Sequence, residues 1–259
     1  MQTPSDRKPR RTKWNGLLAT LFAVATMAVA TPAAATEVDP WQPMNRGIFR
    51  FNDALDRWFL EPVATGYDFV MPDQAQGWVD NFFDNLRFPI VFANCLLQGK
   101  VADAGASFGR FMVNTSVGLA GFGDPATKLG VPDPNEDFGQ TLGRWGIKPG
   151  PYLVLPFLGP SNFRDTIGGG VDAASRVWPW FVPMEVSAGV GAVDLVNTRS
   201  LYLDTVKDLR SESVDFYAAV RDAYLQRRTS LIEDRLGKTD EAEHSADEDD
   251  LYFPDDPEQ

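Results

Sequence analysis

The chain has 259 residues, 44% hydrophobic and 23% charged, with a formal net charge of −12. That balance suits one or two packed domains and excludes wholesale disorder, and the negative charge excludes nucleic acid as a partner. Cys95 is the single cysteine, so no internal disulfide can form and stability must come from packing.

Residues 1–35 read as a secretory signal peptide. Arg7, Lys8, Arg10, Arg11 and Lys13 precede an apolar run from about Leu17 to Ala30, and Ala33-Ala34-Ala35 closes it. The run is shorter than the roughly 20 residues a transmembrane span requires. Removing this segment removes five basic and one acidic side chain, leaving −16 on the mature chain. The acidity concentrates in residues 238–259, where ten Asp or Glu face only Lys238, a composition expected of a solvated tail. Residues 36–237 form the expected folded domain.

Within it, Asn45 reads as a candidate helix cap. Met44, Ile48, Phe51, Leu55 and Trp58 then recur at helical spacing until Pro62. Two further helices are expected over Gln74–Arg87 and Pro89–Leu97, with Gly99 as the stop, and a fourth over Lys100–Val113. Residues 41–92 hold twelve of the chain's 31 aromatics. Two explanations stand: an aromatic core, or helices lying in a bilayer interface, where Trp and Phe are favoured.

Asn114–Pro134 is glycine-rich, with room for one short helix near Pro125–Leu129. Glu136–Asp165 is then both punctuated by Gly and Pro and strongly apolar, which calls for a fixed path through a packed or membrane-facing place. Arg164–Arg176 reads as helical in spite of Gly168-Gly169-Gly170, about 1 kcal/mol per glycine against alanine, so close approach of another backbone is expected. Gly189 and Gly191 in Val186–Val196 suggest tight helix packing. Thr198 to about Leu236 carries the longest helical pattern, over 50 Å if unbroken, with a bend expected near Ser211–Ser213.

Catalytic signals are sparse. The only histidine is His244, in the acidic tail, which argues against a Ser-His-Asp or Cys-His arrangement. No His/Cys cluster suggests zinc, and the glycine run lacks the lysine of a phosphate loop. Carboxylates at Asp53, Asp56, Glu136, Asp137 and Asp165 have Arg46, Arg110, Arg144 and Arg164 available as partners. The chain reads as a non-enzyme without cofactor or metal; a carboxylate-based hydrolase and a structural or host-interacting envelope protein are the alternatives.

A series of short motifs in order carries a family resemblance: Met44-Asn45-Arg46 with Phe49 and Phe51-Asn52; Pro62-Val63-Ala64; Asn81-Phe82 with Asn85-Leu86; Leu97-Gln98-Gly99; and Arg110-Phe111 with Asn114-Thr115. It continues through Phe138-Gly139 with Thr141-Leu142-Gly143, Gly150-Pro151-Tyr152 with Leu155-Pro156, Arg164-Asp165, and Ala223-Tyr224 with Gln226-Arg227. Over roughly Asp39–Arg228 the chain resembles the MlaA (VacJ) lipoproteins of Gram-negative outer membranes.

The resemblance implies an all-α fold: a ring-like single domain of short amphipathic helices, with a long C-terminal helix and a small hairpin loop, lying in the inner leaflet of the outer membrane around a polar channel. It implies phospholipid as cargo, taken from the outer leaflet and passed to a soluble periplasmic carrier, with a trimeric porin beside it and an ATP-driven complex downstream. One departure is plain. The lipidated members carry a cysteine just after the signal peptide; Ala33-Ala34-Ala35 is followed by none, so a non-lipidated form is expected.

On this reading Thr141–Gly146 and Tyr152–Leu155 are the two arms of the hairpin, turned over residues 147–151 and held by Phe138 and Phe157. Gly139, Thr141, Leu142, Gly143, Arg144, Trp145, Gly150, Pro151, Tyr152, Leu155 and Pro156 are thereby candidates to line or gate the channel. Asn45, Arg46, Phe49, Phe51 and Asn52 mark the N-terminal helix, and Arg110, Asp137, Arg164 and Asp165 are the motif charges.

Overall fold

In a computed structural model, which describes residues 39–233, the chain is a single, mostly helical domain with one two-stranded hairpin. The segments expected to be a signal peptide and a solvated acidic tail lie outside the described residues. Helix α1 spans Gln42–Leu55 and runs through a π-helical turn, Asp56–Leu60, into α2, Glu61–Val70. Then come α3 (Asp73–Leu97), α4 (Val101–Ser116) and the short α5 (Pro125–Lys128). Next are α6 (Phe138–Arg144), β1 (Tyr152–Leu155), β2 (Gly159–Asn162) and α7 (Phe163–Ala174). Helices α8 (Met184–Leu201), α9 (Leu203–Glu212) and α10 (Phe216–Ile232) complete it.

Several expectations change. Asn45 is no cap: it lies inside α1, one turn past the Trp41 terminus, with its side chain aimed elsewhere. Pro62 does not close the first helix. The chain passes through the wider π turn, and Pro62 falls in the first turn of α2, where a missing N–H costs nothing. Pro89 does not divide α3. Phe88 stacks on Phe111 at 4.3 Å between centroids and Phe92 lies 6.3 Å from Phe108, so α3–α4 packing overrides a penalty of about 3 kcal/mol. Gly99, at φ +76°, ends that helix as expected.

The C-terminal span is helical but segmented. It breaks at Tyr202 and again at Ser213–Asp215, where Ser213 turns extended and the Asp215 carboxylate accepts from the Ala218 N–H at 3.2 Å. The first break brings two arginines onto the π turn: Arg199 grips Asp56 at 2.7 and 3.0 Å, and Arg210 spans Asp53, Asp56 and Glu61 at 2.9–3.1 Å.

The arms of the hairpin are corrected too. Thr141–Arg144 belong to α6, not to a strand: the Asp137 carboxylate accepts from the Gln140 N–H at 2.8 Å and starts a helix there. The partner of β1 is β2, paired antiparallel from Tyr152 with Asn162 to Leu155 with Gly159. Pro156, Phe157 and Leu158 make the turn.

Of the three consecutive glycines, only Gly168 meets another backbone. A Cβ there would lie 2.4 Å from the Gly139 amide nitrogen, whereas Gly169 and Gly170 face open space. Gly189 and Gly191 also meet nothing within 4 Å, so the tight packing expected of them is absent.

The interior is the reverse of an ordinary soluble domain's. Among the described residues, buried polar and charged side chains, including Asn45, Gln76, Gln140, Asn162, Asn197 and Ser200, outnumber buried apolar ones. The apolar clusters are small, one around Val91, Cys95 and Ala104 and one around Tyr152, Val154 and Tyr217. Large apolar side chains instead cover the exterior: Trp58 is 86% exposed, Phe69 88%, Trp180 78% and Phe181 81%. The aromatic-rich N-terminal half thus divides. Phe88, Phe92 and Phe111 pack between α3 and α4, while Trp58, Phe59, Phe69 and Trp78 face outward. No described helix is long and apolar enough to cross a membrane.

Candidate functional site

Two side chains of α1 position the hairpin. Asn45, fully buried, donates from Nδ2 to the Tyr152 carbonyl at 3.0 Å and accepts on Oδ1 from the Val154 N–H at 3.0 Å. Seven residues on, Asn52 repeats the contact, donating to the Leu155 carbonyl and accepting from the Phe157 N–H, both at 2.9 Å. Two helical turns separate the residues, about 10 Å, a match to three residues of extended chain. The carboxamides therefore act as a neighbouring strand made of side chains, and α1 grips β1 along its length.

The rest of the N-terminal motif supports this grip. Asn45 also donates to Asp39 at 2.7 Å, whose second carboxylate oxygen accepts from the Tyr217 hydroxyl. Arg46 bridges to Asp215 and lies 4.4 Å over the Tyr217 ring. Phe49 packs edge-on against Phe216 and Tyr217, and Phe51 against Phe157 at the hairpin turn, at 5.4 Å. Burial and the contact with Asp39 push the Tyr217 phenol upward, so it stays a proton donor.

The motif charges Asp137 and Asp165 meet at Arg228, which reaches Asp137 at 2.5 and 3.0 Å and Asp165 at 3.0 Å. Asp165 also accepts from the Tyr224 hydroxyl and from Asn162 Nδ2, each at 2.7 Å, and from its neighbour Arg164 at 2.9 Å. Burial alone would raise both carboxyls, but Arg228 and the hydrogen bonds outweigh it and hold both below the ordinary carboxylate range. Gly139 is required here: a Cβ would lie 2.7 Å from Asp165 Oδ1 and 2.8 Å from Arg228. Arg164 and Ile232 crowd Gly143 in the same way.

The remaining candidates scatter. Thr141 is buried and donates to Asn94 at 2.7 Å, Leu142 is half-buried, and Arg144 is exposed at the end of α6. Trp145 is half-exposed and donates to the Leu97 carbonyl at 3.0 Å. Gly150, at φ +68°, and Pro151 lead into β1; Tyr152 is buried, Leu155 half-buried and Pro156 exposed. Arg110 lies apart, holding Asp124, Thr127 and the Val131 carbonyl at 3.0–3.2 Å.

Sequence reasoning marked Tyr224 among the family motifs but gave no role to it, Tyr217, Arg221 or Arg228. Their spacing of four, three and four residues was the available signal: one stripe on α10, hidden because Asp222, Gln226 and Arg227 between them blur its contrast with the rest of the helix. It missed Arg199 and Arg210 because their partners are more than 140 residues away.

A further polar region lines the space beside α3. Asp80, Asp84 and Arg87 occupy one stripe of that helix, opposite Asp194 of α8. Asp84 is open to water, yet burial among protein atoms, with Asp80 and Asp133 nearby, pushes its carboxyl up to about 7. Among the described residues no group of His, Cys, Asp and Glu is arranged to hold a metal.

A polar interior inside an apolar coat, with a hairpin clamped by two asparagines, is compared with known proteins as follows. The family model described as "MlaA lipoprotein" matches residues 37–231. The chain belongs to that family. It is 36% identical over 220 residues to the intermembrane phospholipid transport system lipoprotein MlaA of Shigella flexneri, covering 81% of this chain and 86% of that one. It is 34% identical over 247 residues to the protein of the same name from Haemophilus influenzae, covering 90% and 95%. A solved structure, described as "Structural basis for maintenance of bacterial outer membrane lipid asymmetry", superposes with a TM-score of 0.65 at 35% identity, over 75% of this chain and 98% of that one. The clamp asparagines, the hairpin and the Asp137–Arg228–Asp165 node all lie within the matched span.

Proposed function

We propose that this protein is a phospholipid channel of the outer membrane: it removes mislocalised phospholipid from the outer leaflet and passes it to a soluble periplasmic carrier, keeping the membrane asymmetric. The inverted interior carries this reading. An apolar coat with no spanning helix among the described residues suits in-plane residence in one leaflet, and solvent-open polar side chains such as Asp84 and Arg87 on α3 offer a headgroup a hydrated path, a saving of several kcal/mol. The work is transport without bond-making, and the helices close into a ring around the polar space. The hairpin borders that space as its gate, with a trimeric porin beside the ring.

Relatives are lipoproteins by name, but this chain's single cysteine, Cys95, is fully buried near the C-terminal end of α3, with its thiol pushed up to about 12 by burial. It offers no site for an acyl anchor. The apolar coat then holds the exported, mature chain at the periplasmic leaflet, and its intact mass carries no acyl addition. The decisive experiment measures outer-leaflet phospholipid in a strain with and without the gene. Accumulation in the deletion, reversed by the gene, supports the reading; an unchanged leaflet overturns it.

A further inference from the structure

A small cleft with an open mouth lies between α3 and α8, with a volume of about 40 Å³. Phe83, Leu86 and Ile90 line it along α3. Its polar lining is Arg87, Arg176 and Asp194, so two guanidinium groups share one space with a carboxylate. Asp80 and Asp84 continue the α3 stripe above Arg87, near enough for Asp194 to act on Asp80. Asp194 is in turn steadied by both Arg176 and Arg87.

Arg87 is only lightly engaged. It meets Asn135 at 3.4 Å and Asp84 at 3.9 Å, both long contacts. Gly191 forms part of the α8 wall, and a Cβ there would meet nothing within 4 Å. No packing demand explains glycine at this place, which costs about 1 kcal/mol in a helix; it keeps the cleft open.

We infer that this cleft is a subsite for a zwitterionic phosphate–ammonium headgroup, with Arg87 and Arg176 taking the phosphate and Asp194, aided by Asp80, taking the ammonium. An anionic headgroup would gain from the arginines but meet the carboxylates as like charges. A cation alone would meet two arginines. A group carrying both signs matches the lining best, exchanging the Arg–Asp194 attraction for one pair of its own at each end. The cleft has room for headgroup atoms alone, so the glycerol and tails stay outside it. The inference rests on the transport reading and names the preferred class of cargo.

Binding of short-chain phosphatidylethanolamine and phosphatidylglycerol to the detergent-solubilised protein tests it, with phosphoethanolamine and inorganic phosphate as competitors. The ethanolamine lipid should bind about tenfold tighter than the glycerol lipid. Gly191→Leu, which fills the cleft without a clash at Cβ, should lower ethanolamine-lipid binding about tenfold while leaving the melting temperature in place. Arg176→Gln should weaken both lipids; Asp194→Asn should weaken only the ethanolamine lipid and so erase the preference.

Wild-type binding without preference, Gly191→Leu binding like wild type, or inorganic phosphate competing as well as phosphoethanolamine would each overturn the subsite. If the subsite fails while the deletion strain still accumulates outer-leaflet phospholipid, transport stands without it. If the preference holds and the leaflet is unchanged, the protein binds headgroups without transporting them.

Discussion

Asn45 meets both the carbonyl of Tyr152 and, through its other amide atom, the N–H of Val154, so a side chain from residue 45 completes the hydrogen bonding of a strand more than a hundred residues away. This ties the position of the hairpin to α1. Asn45→Leu keeps the volume but leaves two strand groups and Asp39 without their partner. A loss of about 2–4 kcal/mol is expected in denaturant unfolding. Asn52→Ala, at a partly exposed site, should cost about 1 kcal/mol. Equal effects of the two would contradict the burial-based ranking.

The glycine run offers an internal control. Gly168→Ala forces α7 away from the Gly139 backbone and should destabilise by about 2–4 kcal/mol. Gly169→Ala, one residue on, faces open space and should be neutral or stabilising by up to about 1 kcal/mol. Thermal melts of the two variants, side by side, decide it.

Acid behaviour should follow Arg228. The folded Asp137 and Asp165 carboxyls lie below their unfolded value of 3.8, so their contribution to stability is full above that pH and is lost as pH falls through the folded values. Arg228→Met strands the enclosed Asp165 carboxylate and the partly exposed Asp137 carboxylate and should cost about 3–5 kcal/mol at pH 7. The gap in melting temperature from wild type should shrink toward pH 3, where the carboxyls are protonated. A gap independent of pH would mean that Arg228 acts through packing alone.

Asp84 should show the opposite slope. Its folded value of about 7 lies above the unfolded 3.8, so it is neutral cargo below pH 4 and an increasing burden as pH rises toward 7. Asp84→Asn should therefore raise the melting temperature at pH 8 and leave it unchanged at pH 4. The groups acting on it are Asp80, Asp133, Arg87 and Arg110.

Gating by the hairpin is tested where Phe51 of α1 meets Phe157 of the turn, their rings 5.4 Å apart. A Phe51→Cys, Phe157→Cys pair, oxidised, should pin the turn to α1 and slow removal of outer-leaflet phospholipid, with reduction restoring it. Buried Cys95 does not compete for the new thiols. Full transport in the oxidised protein would make the hairpin a fixed wall.

Most helices were legible because their periodicity is local: Met44 through Trp58, and the capping carboxylates and glycines around them, need no distant partner. The strand pairing was not. Thr141–Gly146 has the apolar, glycine-bounded look of an arm, but the Asp137 cap makes it helix and leaves β1 to pair with Gly159–Asn162. The motif residues Asn45, Asn52, Asp137 and Asp165 stand out in the sequence, yet the contacts they make depend on Val154, Phe157 and Arg228, and no spacing rule connects those positions. The choice between aromatic core and bilayer-facing helices was equally closed to the sequence, since burial on one side of Phe88 and exposure at Phe69 follow from tertiary packing.

The polar interior also has a calorimetric consequence. The large heat-capacity increase on unfolding comes from wetting apolar surface, while wetting polar surface lowers it. Here the side chains released on unfolding are disproportionately carboxamides, hydroxyls and ion pairs, and much of the apolar surface is already outside. The heat-capacity change should fall below the usual ~12–15 cal/mol/K per residue, so that stability varies little with temperature and depends more on what wets the coat than on how hot it is.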